Sequence, residues 1–145
     1  MSFYKDNGLT LVRSLADKRS DITYLGDTLV TIEMLNLKIM LSHASGGVSY
    51  ARSYKLQRSL DGIPSEMKPS FLFTGHWHVP AYLPQYRNVE AWSLPSFQAT
   101  TPYLQSKQLT SVVGGLIVTV RPDKDGIGTV NWEYVPFYKM IRNDF

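Results

Sequence analysis

The chain has 145 residues, no cysteine, 43% hydrophobic residues, and 15 lysines and arginines against 12 acidic residues, a net charge of +3. This describes one soluble globular domain long enough to bury a core, and it excludes disulfide frameworks, thiolate metal sites, iron–sulfur clusters and cysteine nucleophiles. No apolar run approaches the ~20 residues of a membrane span, and Met1-Ser2-Phe3-Tyr4-Lys5-Asp6 lacks the regions of a secretion signal, so a cytoplasmic protein with no membrane partner is expected.

From Asn7 to Arg19, Leu9, Val12, Leu15 and Ala16 recur at helical spacing, which predicts a helix packed on one face. Ile22 to Leu25 reads as a strand, Gly26-Asp27 as a turn, Thr28 to Met34 as a second strand and Leu37 to Leu41 as a third. In that third strand Leu37, Ile39 and Leu41 alternate with Lys38, Met40 and Ser42, so the face carrying the first set is expected to be the more buried. Val48 to Leu60 has no Gly or Pro and predicts a second helix, with Val48, Ala51, Leu56 and Leu60 toward the core. Phe71 to Phe73 is a short apolar strand. Val79 to Asn88, with two prolines, suggests an edge strand or irregular segment. Val89 to Leu94 reads as a strand and Pro95 to Leu109 as a long loop. Gly115 to Arg121 and Thr129 to Val135 form a β-hairpin. The class is α/β or α+β, in one domain.

The chain contains three histidines, and each follows an apolar strand: His43 after Leu37 to Ser42, and His76 and His78 after Phe71 to Phe73. Strand ends are where the sites of layered α/β folds collect. In an extended Gly75-His76-Trp77-His78, alternate residues point to the same side, so two imidazoles could reach one metal or two adjacent ones, and Gly75 would allow close backbone approach. Imidazole suits Zn, Fe, Ni and Mn ions. A pair of surface or interface histidines, with Trp77 packed between layers, is the competing reading. Ser45-Gly46-Gly47 lies in a small-residue loop opening the second helix, where backbone N–H groups would favour an anion; glycines that merely turn the chain are the alternative.

The order strand, His43, helix, strand, Gly75-His76-Trp77-His78, then a β-rich tail resembles the C-terminal half of the calcineurin-like metallophosphoesterase superfamily. The stretch Ser42 through Gln57 looks like one branch of it. The resemblance implies a two-sheet sandwich flanked by helices, and a pair of divalent transition-metal ions (Mn, Fe, Zn or Ni) that hydrolyses phosphate mono- or diesters. It assigns His43 and His76 to the second metal and His78 to the first. A bridging water acidified by both cations would then attack phosphorus.

The same family carries an Asp-x-His, a Gly-Asp followed by a second acid, and a Gly-Asn-His followed by an acid, all N-terminal to the matching part. None is present. Gly26-Asp27 reads as a turn, and Asn7-Gly8 as a turn or helix start. Three neutral imidazoles cannot offset the repulsion between two cations. The chain is therefore expected to be the C-terminal part of a longer enzyme, one piece of a split one, or a remnant, and inactive alone. Apolar strands left uncovered by a missing half would drive self-association or binding of a partner. The rival is a non-catalytic nucleic-acid-binding or interaction module, with Arg52, Lys55 and Arg58 on phosphates and Tyr50 and Tyr54 on bases. In a third reading, a structural interaction domain, Trp77, Trp92, Trp132 and the tyrosines at 82, 86, 103, 134 and 138 are core and interface.

Overall fold

The computed structural model describes residues 3–138; Met1 and Ser2, and the side chain of Leu9, lie outside the described residues. In chain order the elements are α1 (Phe3–Lys18), β1 (Leu29–Met34), β2 (Leu37–His43), α2 (Tyr54–Asp61), β3 (Phe71–Gly75), β4 (Ala81–Tyr86), β5 (Val89–Ser93), α3 (Pro102–Ser106), β6 (Gly114–Asp123) and β7 (Gly126–Pro136), with a 3₁₀ turn at Ser65–Met67. The chain is a mixed α/β fold. One sheet has the order β1-β2-β3-β5-β4, and β6 and β7 form a second, two-stranded sheet.

The centre of the larger sheet is a βαβ unit: β2 and β3 run parallel, joined through α2, and β5 adds parallel to β3. Such strands are covered on both faces, which is why Phe71-Leu72-Phe73 is continuously apolar and does not alternate. On one face Leu56 and Leu60 of α2 pack with Met40, Leu72, Trp77, Val89 and Ala91. On the other, Leu37, Phe71 and Trp92 are covered by Leu116, Val118, Val120, Ile127 and Val130 of the β6–β7 hairpin. Stacked rings reinforce this second face, with Tyr82 at 4.9 Å and Phe73 at 5.1 Å from Trp92.

The edges are antiparallel. β1 pairs with β2 through the two-residue turn Leu35-Asn36, and β4 pairs with β5 through Arg87-Asn88. All four turn residues have positive φ, between 52° and 63°, the combination that matches the twist of paired strands. Asn tolerates it; Leu35 and Arg87 adopt it under strain.

Several sequence expectations are corrected. Ile22 to Leu25 forms no strand, so Gly26-Asp27 is not a turn between strands. No strand pairs with Ile22 to Leu25, because β1 takes the place beside β2. The second helix starts at Tyr54, not Val48, and both Val48 and Ala51 are exposed. Asn7 and Gly8 lie inside α1 and not at a turn or helix start. The Pro95 to Leu109 loop contains α3, started by Thr101, whose hydroxyl accepts from the Leu104 N–H, and by Pro102 at its first position. In β2 Leu37 is buried under the hairpin as expected, but Met40 on the opposite face is buried under α2 and Leu41 is 42% exposed; packing on both faces over only part of the strand makes alternation a poor guide. Helix α1 forms as expected, but Leu11, Val12 and Leu15 are exposed. Trp77 and Trp92 are core; Trp132, Tyr103 and Tyr138 are not.

Candidate functional site

The parallel register of β2 and β3 builds the site. It sets His43 opposite Gly75, so the residue after Gly75 meets the last residue of β2. The His43 N–H donates to the Thr28 carbonyl at 2.8 Å, which fixes that strand end. The His43 and His76 rings meet edge to face, with centroids 4.9 Å apart and planes at 74°. His78 joins them at a cavity of about 420 Å³ whose other walls include Pro95, Phe97 and Gly114. Strand ends thus bring all three histidines of the sequence to one place.

The way they arrive differs from the sequence argument. Strand β3 ends at Gly75 and the next residues are not extended: His76 has φ +90° and His78 φ +57°. Left-handed conformations at two non-glycine residues, each costing ~1–3 kcal/mol, persist only where neighbouring structure holds them. Here the Leu94 N–H donates to the Thr74 carbonyl at 2.8 Å and the Val112 N–H to the His78 carbonyl at 2.9 Å, on either side of the bend. The Trp77 side chain between them is buried beneath the sheet. Gly75 is not needed for close approach, since a Cβ there would lie 4.0 Å from the His43 ring, an ordinary contact.

The second cavity, about 570 Å³, separates the Gly46-Gly47 loop from α3 and is lined by His76, His78, Tyr103 and Ser111. Ser45 is exposed and does not line it. The loop does not open a helix, because α2 begins seven residues after Gly47, so the helix-terminus argument for an anion at Ser45, Gly46 and Gly47 fails. What the sequence did not place at this loop is Lys55, which it offered only as a phosphate contact on the second helix. A Cβ on Gly46, whose φ is +79°, would lie 3.7 Å from the Lys55 Nζ, which places an ammonium beside the loop. Sequence spacing assigned Lys55 to a helix face only; its reach back over the loop needs the three-dimensional turn.

Burial pushes the His76 imidazole below its ordinary value, and the neighbouring His43 adds to the fall, with a backbone bond at Gly46 opposing it. His78 Nδ1 is 3.0 Å from the hydroxyl of Ser111, a residue that is 7% exposed. The Ser111 N–H in turn donates to Thr100 Oγ1 at 3.1 Å. On the other side of His43 an open cleft of about 490 Å³ runs past Leu25, Asp27, Leu41 and Phe73. Asp27 is engaged with Arg13 at 3.5 Å.

The donor set can be tested against the metals that the histidines suggest. Imidazoles suit Zn, Mn, Fe or Ni, but no Asp or Glu among the described residues lines either histidine cavity. Among those residues, no group of three or more His, Asp or Glu side chains is arranged to hold a metal ion. The residues present do not fit a pair of divalent cations, because nothing anionic separates the two charges.

No family model and no curated protein matches the chain. Among solved structures it is similar to wild-type Vps29 of Entamoeba histolytica, complexed with zinc, with a TM-score of 0.43 and 18% identity over 83% of this chain and 67% of that one. Among the described residues no helix is long and apolar enough to cross a membrane.

Proposed function

We propose that this chain is the histidine-bearing part of a metallophosphoesterase-type centre, acting on phosphate mono- or diesters only when carboxylates from another polypeptide segment or chain complete it. The observation that carries the reading is the β2–β3 register, which delivers His43, His76 and His78 to one cavity from two adjacent strand ends. The Lys55 ammonium beside Gly46 supports it, as a cation suited to a phosphoryl oxygen. The open apolar cleft beside His43 is then the surface for the complementary part, or for a second copy of the chain.

The experiment is zinc titration of the chain followed through its three imidazole signals by NMR, beside manganese-dependent hydrolysis of a generic phosphodiester. Weak zinc-induced shifts of all three histidines, lost in His43→Ala and His78→Ala, and no turnover are expected. Unmoved imidazoles would remove the reading, and two tightly bound ions with turnover would show that acids of this chain complete the centre.

A second reading, a nucleic-acid module, is favoured by the full exposure of Tyr50 and the exposure of Arg52, Tyr54 and Arg58 around the start of α2. Salt-dependent binding of single-stranded DNA without metal is its signature.

A further inference from the structure

The hydrogen-bond accounting around Ser111 determines more than the position of His78. A neutral imidazole carries its proton on one nitrogen and accepts on the other. Two arrangements satisfy the 3.0 Å contact between His78 Nδ1 and Ser111 Oγ. In the first, Nδ1–H donates to the hydroxyl oxygen, and the hydroxyl proton needs an acceptor of its own. In the second, the hydroxyl donates to Nδ1, and the ring proton sits on Nε2. Ser111 is buried, and among the described residues its hydroxyl has no hydrogen-bonding partner besides His78. The first arrangement leaves the hydroxyl proton without a protein acceptor among the described residues, at a residue only 7% exposed, and donors so placed are almost always paired. The second leaves nothing unpaired, because Nε2 lies on the ring edge away from Ser111, and the half-buried His78 borders both cavities.

The frame that holds the contact is independent of the two side chains. The Val112 N–H donates to the His78 carbonyl and the Ser111 N–H to Thr100 Oγ1, so the segment between α3 and β6 is pinned to the histidine bend at its backbone. We infer that Ser111 is a positioning residue that fixes His78 as the Nε2–H tautomer in the metal-free protein. Held this way, His78 offers the cavity a proton and not a lone pair, which suits an anionic oxygen such as that of a phosphate. A cation could take Nε2 only after the proton moved to Nδ1, which would leave the Ser111 hydroxyl without an acceptor. This inference concerns the metal-free chain and stands whether or not the proposed function does.

The test is two-dimensional ¹⁵N–¹H NMR of the imidazole nitrogens in metal-free protein at about pH 8.5, above the ordinary imidazole value of ~6.5. The expected His78 pattern in the wild type is an unprotonated Nδ1 and a protonated Nε2. Ser111→Ala, with an amide spectrum that shows the fold intact, should shift the ring to a mixture of tautomers, and Ser111→Thr should restore the single form. A wild-type His78 with its proton on Nδ1 overturns the inference without any variant. An alanine variant that keeps the single Nε2–H form overturns the role of Ser111.

Discussion

The two flanks of the larger sheet contain similar side chains and treat them in opposite ways. Around β3 and β5 nearly every apolar group is enclosed: Leu56, Val89 and Ala91 are at 0% exposure and Phe71 and Leu72 at 1%. On the α1–β1 flank, Leu11, Leu25, Leu29, Met34 and Leu41 are between 42% and 61% exposed. The difference is not one of propensity, since α1 and β1 both form. It arises from what stands opposite: α2 and the β6–β7 hairpin close over β3 and β5, whereas the flank faces the open cleft beside His43. His76 and His78 hang from the enclosed side, and His43 sits at the boundary between the two. The candidate site is therefore rigid on one wall and uncovered on the other.

The sharpest way to break this contrast is to truncate one leucine on each side. Leu72→Ala removes a side chain packed in the cluster under α2 and is expected to cost ~2–5 kcal/mol, a large fraction of the ~5–15 kcal/mol of an ordinary domain. Leu11→Ala, at 61% exposure, is expected to change the urea midpoint by less than ~0.5 kcal/mol equivalent. Equal losses at both positions would mean that the flank is buried in solution, as it would be in a self-associated form, and sedimentation would show it.

A second probe lies within the enclosed side. The Tyr82 hydroxyl donates to the buried Glu90 carboxylate at 2.5 Å, and burial together with that carboxylate pushes the phenol up to about 12. Tyr82→Phe strands the carboxylate and is expected to destabilise by ~1–3 kcal/mol, measured by urea unfolding at neutral pH. Glu90→Gln in the same background should return part of the loss, because a neutral amide is less costly to leave buried.

The enclosed side was also the more legible in the sequence. Phe71-Leu72-Phe73 and Val89 to Leu94 were readable as strands because burial on both faces leaves a continuous apolar run. The three histidines were readable as one cluster because each follows such a strand. Ile22 to Leu25 misled, since its apolar and β-branched residues have strand character but no neighbour with which to pair. Met40 was expected on the less buried face because alternation alone cannot show that α2 covers that face as well. Ser111 carried no local signal, and Lys55 was legible only as one of the basic residues of the second helix. One reaches the site through the segment between α3 and β6 and the other by folding back over a glycine turn, and both contacts exist only in three dimensions.

The bend at the histidines yields a smaller effect with the opposite sign. At φ +90°, His76 occupies a conformation that glycine adopts without penalty. His76→Gly is expected to raise stability by ~0.5–1 kcal/mol, although it deletes a side chain, while reducing the zinc-induced shifts of the remaining histidines. A loss of stability would mean that the ring contact with His43 outweighs the backbone strain.

The smallest effect is the dependence of stability on pH. Because His76 in the folded chain lies below the ordinary imidazole value, the unfolded chain takes up a proton first as the solution is acidified. More protons bound to the unfolded form means that stability falls with falling pH. The contribution is complete above ~6.5 and is lost as the pH drops through the lower value of the folded state. His76→Asn keeps a side chain tolerant of positive φ and cannot titrate. Urea midpoints of the wild type and this variant at pH 7.5 and at pH 5.5 are therefore expected to shift relative to one another, in favour of the variant at the lower pH. The cause assigned to the shift predicts its partner: burial, the largest cause, is left in place by His43→Gln together with a smaller repulsion from His78, while the repulsion from His43 is removed by that substitution. The double comparison should leave a reduced but finite pH effect, and its complete disappearance would assign the shift to the neighbouring ring and not to burial.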